Sequence, residues 1–94
     1  MKYFNLNDIS KIKNDVYISL DMDVFDPAFA PGVSHHEPGG FTSREVISIL
    51  QNLKTKIIGA DIVEYNPKND IKGITAALAA KMVKEISSYM IENN

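Results

Sequence analysis

The sequence has no cysteine and no tryptophan. Without thiols there is neither a disulfide framework nor a thiolate metal site. No charge of one sign prevails: 10 lysines and arginines stand against 12 aspartates and glutamates, for a net charge of -2. With only scattered lysines and no basic patch, the chain lacks the electrostatic footprint of a nucleic-acid binder. No apolar run approaches the ~20 residues that span a membrane. The N-terminal MKYFNLNDISKIK has no apolar segment of signal-peptide type. Internal repeats and low-complexity segments are absent too. The expectation from these features is a cytoplasmic globular protein with no nucleic-acid or membrane partner. Its composition, 45% hydrophobic and 23% charged, is ordinary for that class.

At 94 residues the chain is one domain or a piece of one, and its margin of stability is thin. Lys2–Leu6 is short and aromatic and reads as a strand. Asn7 or Asp8 is placed to cap a helical turn running through Ile9 and Ile12. Asp15–Met22 reads as a strand, with Val16, Ile18, Leu20 and Met22 on one face and Tyr17, Ser19, Asp21 and Asp23 on the other. Pro27, Pro31, Gly32, Pro38, Gly39 and Gly40 make Asp26–Gly40 a loop, long enough to suggest function. Thr42-Ser43-Arg44-Glu45 reads as a capping box opening a helix whose stripe is Val46, Ile47, Ile49, Leu50 and Leu53. Lys56–Val63 is nearly continuous in apolar character, as suits a parallel strand covered on both faces, and it runs into Glu64. Tyr65–Asp70 is a turn. A last helix spans about Ile71 to Ile91, with Ile74, Leu78, Met82, Ile86 and Tyr89 or Met90 inward.

Strand, loop, helix, strand predicts a parallel pair joined by a right-handed crossover. Ligands bind at the C-terminal edge of such sheets, so Asp21, Asp23 and Glu64 are expected on one rim. Two parallel strands leave open edges and need cover on both faces, so the chain reads as part of a larger α/β sheet.

Residues i and i+2 of a strand share a face, ~6.6–7 Å apart. Carboxylates that close repel unless a cation lies between them, and oxygen ligands suit manganese or magnesium. The plainer alternative is a solvated acidic pair at a strand end.

The longer string is more specific. Ser19-Leu20-Asp21-Met22-Asp23, the run DPAFAPG (Asp26–Gly32), EPGG (Glu37–Gly40), DIVEYNP (Asp61–Pro67) and the ITAALAAK of the last helix (Ile74–Lys81) together resemble the C-terminal portion of the arginase/agmatinase (ureohydrolase) family. DPAFAPG looks more like agmatinase than arginase. The resemblance implies the C-terminal part of a three-layer α/β/α arginase-like parallel-sheet domain, with residues 1–94 a single partial domain. It implies hydrolysis of a small guanidino compound to urea and an amine by two manganese ions, which make a nucleophilic hydroxide available at neutral pH. Agmatine, giving putrescine, is the expected substrate. At positions matching the family motifs, Asp21 and Asp23 are implied metal ligands and Glu64 the partner of the guanidinium. The position matching His35 touches substrate in arginases.

Family motifs upstream, glycine-rich Asp-His and Asp-Ala-His-x-Asp, do not occur, so no catalytic residue is assignable here. The isolated chain is expected to be inactive. A trimeric or hexameric homo-oligomer is the family habit. His35-His36 replaces the commoner Thr-Pro, and the alternative for this pair is two solvated loop residues. Asp26 is expected to hold the loop through backbone N–H groups. Tyr17 and Ser19 are expected to pack and hydrogen-bond behind the rim, Asp61 either to stand behind the metal ligands or to make a structural salt link, and Gly59 to allow close approach.

Two other readings compete. A strand followed by DxDxF also resembles haloacid-dehalogenase-type phosphatases, but their later motifs are not evident and DPAFAPG has no place there. A non-catalytic fragment or interaction domain fits a chain with two acidic ligands and no adjoining histidine, since each missing ligand weakens a metal site.

Overall fold

The computed structural model describes residues 5–93. In chain order these form helix α1 (Leu6–Ser10), strand β1 (Val16–Asp21), helix α2 (Ser43–Gln51), strand β2 (Ile57–Val63) and helix α3 (Ile74–Asn93). Short 3-10 turns follow each strand, at Met22–Val24 and Pro67–Asn69. The fold is α/β, and the strands pair in parallel.

The proposed strand at Lys2–Leu6 lies mostly outside the described residues, and its last member belongs to α1. The cap of that helix is Asn5, two residues before the expected Asn7. Its side chain accepts from the Asn7 N–H at 2.8 Å, as an extended residue before a helix can. At α2 the capping box is present: Thr42 Oγ1 accepts from the Glu45 N–H at 3.0 Å, and Glu45 Oε1 accepts from the Thr42 N–H at 2.9 Å. Helix α3 starts at Ile74, not at Ile71. The left-handed backbone of Lys72 and Gly73 (φ 52° and 75°) breaks the helical path just before it.

Register pairs Val16 with Ile57, then skips a residue, and runs from Tyr17 opposite Gly59 to Asp21 opposite Val63. The offset leaves Ile58 without a partner in the ladder, and it is 59% exposed. Along β1 burial alternates, with Val16, Ile18 and Leu20 half-buried against the core and Tyr17, Ser19 and Asp21 exposed. The expectation that β2 is covered on both faces is therefore not met among the described residues. Helices α2 and α3 pack on each other, and α3 packs on β2. Their inward residues Val46, Ile47, Leu50, Met82 and Ile86 close over Met22, Phe25 and Ile57. In the first turn of α3 the expected inward residue, Ile74, is 50% exposed, and Thr75 is fully buried instead. Hydrogen bonding turns that end of the helix, as shown below.

Met82 has no exposed surface and lies at the middle of this core. Met82→Ala should cost about 2–5 kcal/mol from lost burial and the cavity left behind. Urea unfolding followed by circular dichroism measures it, and a change under 1 kcal/mol would show that the site collapses freely.

Candidate active site

Strand β1 ends at Asp21, and the backbone tightens at once into the Met22–Val24 turn. Asp21 caps that turn: its Oδ1 accepts from the Asp23 N–H at 2.8 Å. Met22 thereby drives into the core with no exposed surface, and Asp23 stays half-buried at the rim. The expectation that Asp21 and Asp23 extend a single strand face is corrected: the turn, not the pleat, places Asp23. Its Oδ1 is buried with no hydrogen-bond partner. A carboxylate oxygen shut off from water and from donors is costly, and a hard divalent cation is a partner that satisfies it. Among the described residues no group of three or more His, Cys, Asp or Glu is gathered to hold a metal, so a site built on Asp21 and Asp23 would need further ligands.

Because Asp21 pairs with Val63, the next residue, Glu64, falls on the same rim. Glu64 has φ 69°. A left-handed backbone at a residue with a long side chain is uncommon, costs roughly 1 kcal/mol or more, and clusters at functional sites. One step inward on the exposed sheet face, Asp61 accepts from Tyr17 Oη at 2.9 Å and from Ser19 Oγ at 2.7 Å. The hydrogen bond to Asp61 raises the Tyr17 pKa above its usual value. Gly59 lets the Tyr17 ring lie close over the strand, since a Cβ at that position would stand 2.9 Å from the ring.

The loop Asp26–Gly40 is closed at its base by two backbone bonds, Asp26 N–H to the Phe41 carbonyl and Phe41 N–H to the Val24 carbonyl, each 2.9 Å. As expected, Asp26 organises it. Its carboxylate accepts from the Ala28 and Gly39 N–H groups, each at 2.9 Å, and those bonds hold its pKa below the usual carboxylate value. The two histidines divide. His36 Nε2 donates to the Pro31 carbonyl at 2.6 Å, bracing the loop, while the neighbouring His35 side is exposed. The four site residues named from sequence thus sit on two supports: Asp21, Asp23 and Glu64 at the strand ends, and His35 on the loop.

Sequence reasoning missed the fastening of the segment after β2 to the start of α3. Asp70 accepts from the N–H groups of Ile71 and Thr75 through Oδ1, and from the Ala76 N–H and Tyr65 Oη through Oδ2. Partial burial pulls its pKa upward, but the Thr75 and Ala76 N–H groups and the Tyr65 hydroxyl outweigh that and hold it well below the usual value. An aspartate close before a helix was the available signal.

A model of the arginase family matches residues 5–88. The mitochondrial arginase of Medicago truncatula is 57% identical over 76 residues, which are 80% of this chain and 22% of that protein. The solved structure of Medicago truncatula arginase superposes with a TM-score of 0.84 at 48% identity, covering 90% of this chain and 29% of that one. A hypothetical agmatinase from Burkholderia thailandensis gives a TM-score of 0.80 at 37% identity, covering 86% and 27%. A triple mutant of the Trypanosoma brucei arginase-like protein, bound with Mn2+, gives 0.79 at 37% identity, covering 92% and 31%. The chain spans about a fifth of the length of the curated relative and under a third of these solved chains.

Asp26 and Asp70 both have pKa values lowered by folding. Such groups contribute stability that is complete above the unfolded carboxylate pKa of about 4 and is lost as pH falls through the folded value. Stability should therefore be level from neutral pH to about pH 5 and fall below it. Asp70→Asn should lower stability at neutral pH and flatten the acid limb. Urea unfolding across a pH series reads both, and an acid limb as steep in the variant as in the parent would contradict the assignment.

Proposed function

The chain belongs to the arginase family, and we propose that the protein carrying it is a manganese-dependent hydrolase of a small linear guanidino compound, releasing urea and an amine. The observation that carries the reading is the family match over residues 5–88, which takes in all three acids of the rim. Asp21 and Asp23 would hold the metal; the unpartnered buried oxygen of Asp23 supports this, as does the Mn2+ bound to the Trypanosoma brucei relative. When bound, manganese supplies Lewis acidity and an activated water at neutral pH. Glu64 presents an anion matched to a planar guanidinium, which holds the substrate's reacting carbon at the rim. His35 lies on the loop that meets the rest of the substrate. Association into homo-oligomers would cover the open sheet edges.

Agmatine and arginine differ at the end remote from the guanidinium, where arginine alone carries a carboxylate. The DPAFAPG run favours agmatine. The higher identity to an arginase than to an agmatinase structure, 48% against 37%, favours arginine, and we take arginine as the first substrate to test.

In the complete protein, Asp21→Asn or Asp23→Asn should abolish manganese-dependent urea release and cut bound manganese, measured by elemental analysis. Glu64→Gln should retain the metal and raise KM for the guanidino substrate. Loss of manganese in Glu64→Gln with retention in Asp23→Asn would reverse the roles. No urea from either arginine or agmatine in the wild type would refute the reading.

A further inference from the structure

The loop and the segment after β2 are knotted together by four hydrogen bonds. The Gly32 N–H donates to Thr75 Oγ1 at 2.7 Å, in a buried setting. The Asn66 N–H donates to the Gly32 carbonyl at 2.7 Å. Asn69 Nδ2 donates to the Val33 carbonyl at 2.7 Å, and Asn66 Nδ2 donates to Ser34 Oγ at 3.1 Å. Thr75 has no exposed surface. A Cβ on Gly32 would stand 2.9 Å from the Thr75 Cβ and 3.0 Å from the Asp70 Cβ, so the loop lies flat on the first turn of α3. Every bond of the knot crosses between two segments far apart in sequence, so each one fixes their relative position and none serves one segment alone.

The knot's neighbours are the two substrate-facing groups of the proposed site. Asn66 follows Glu64 by two residues and bonds Ser34, and Ser34 precedes His35. With Glu64 already held in a left-handed backbone, the separation between the guanidinium anchor and the Ser34–His35 stretch is set by Thr75, Asn66 and Asn69. Building on the ureohydrolase reading, we propose that these three are positioning residues for substrate selectivity: they hold Ser34–His35 at a fixed offset from Glu64, so that the loop reads the end of the substrate remote from the guanidinium. Polar groups held in place reject a substrate that leaves them unpaired, whereas a slack loop tolerates it.

The test uses the complete manganese-loaded protein and compares arginine with agmatine. Thr75→Val keeps shape and deletes the hydroxyl, leaving the buried Gly32 N–H without its partner. It should raise KM for the preferred substrate about tenfold and narrow its preference over the other, with kcat and manganese content within about twofold. Thr75→Ser should restore both KM and preference. Asn66→Ala keeps the backbone bond to Gly32, removes the Ser34 contact together with the cap on the Lys68 N–H, and should narrow the preference likewise if Thr75→Val fails to fold. Hydrogen exchange at the Gly32 amide should quicken in Thr75→Val and not in Thr75→Ser. An active wild type whose substrate preference survives both Thr75→Val and Asn66→Ala overturns the positioning role alone. So does a Thr75→Val protein that loses kcat, metal and stability together while Asn66→Ala keeps the parental preference. A wild type that hydrolyses neither compound overturns the ureohydrolase reading, and this role with it.

Discussion

Parallel pairing of β1 with β2 is the constraint on which the remainder depends. Had the strands run antiparallel, Asp21 and Glu64 would stand at opposite ends of the sheet. In the observed register Asp21 sits beside Val63, so two chain segments deliver acids to one edge. Parallel strands need a long connection, and this one is put to use: its first half is the proline-rich loop and its second half is α2, which supplies Val46, Ile47 and Leu50 to the core.

The molecule compensates its carboxylates in two ways and leaves one oxygen uncompensated. Asp26 and Asp70 are surrounded by backbone N–H donors and serve as local fasteners. Asp61 takes two hydroxyl donors across the sheet face. Among the described residues, Asp23 alone keeps a buried side-chain oxygen with no protein partner. The same chemical group is thus a fastener where amides converge on it and an unmet acceptor where they do not.

Much of this was legible in the residues. The period-two pattern of Val16, Ile18 and Leu20, the Thr42–Glu45 box and the apolar run Ile57–Val63 found the elements, and the DxD and DIVEYNP strings found the rim. Short-range chemistry also predicted Asp26's role, because an aspartate before proline in a loop has few other partners. What the residues concealed came from long-range geometry. Nothing local says that the strand stops at Asp21 and turns, since Met22 continues the apolar alternation and is buried for a different reason. Nothing in a helical wheel favours Thr75 over Ile74 as the inward residue. A bond to Gly32, 43 positions away in sequence, decides it. The lean toward agmatine rested on a single run, and similarity over the whole matched region weighs the other way.

The left-handed backbone at Glu64 sets conformation against chemistry. Glycine is the residue that this φ favours, and it would relieve the strain while deleting the carboxylate. Backbone ease and the acid at the rim are therefore exclusive alternatives at this one position, and the sequence has the acid.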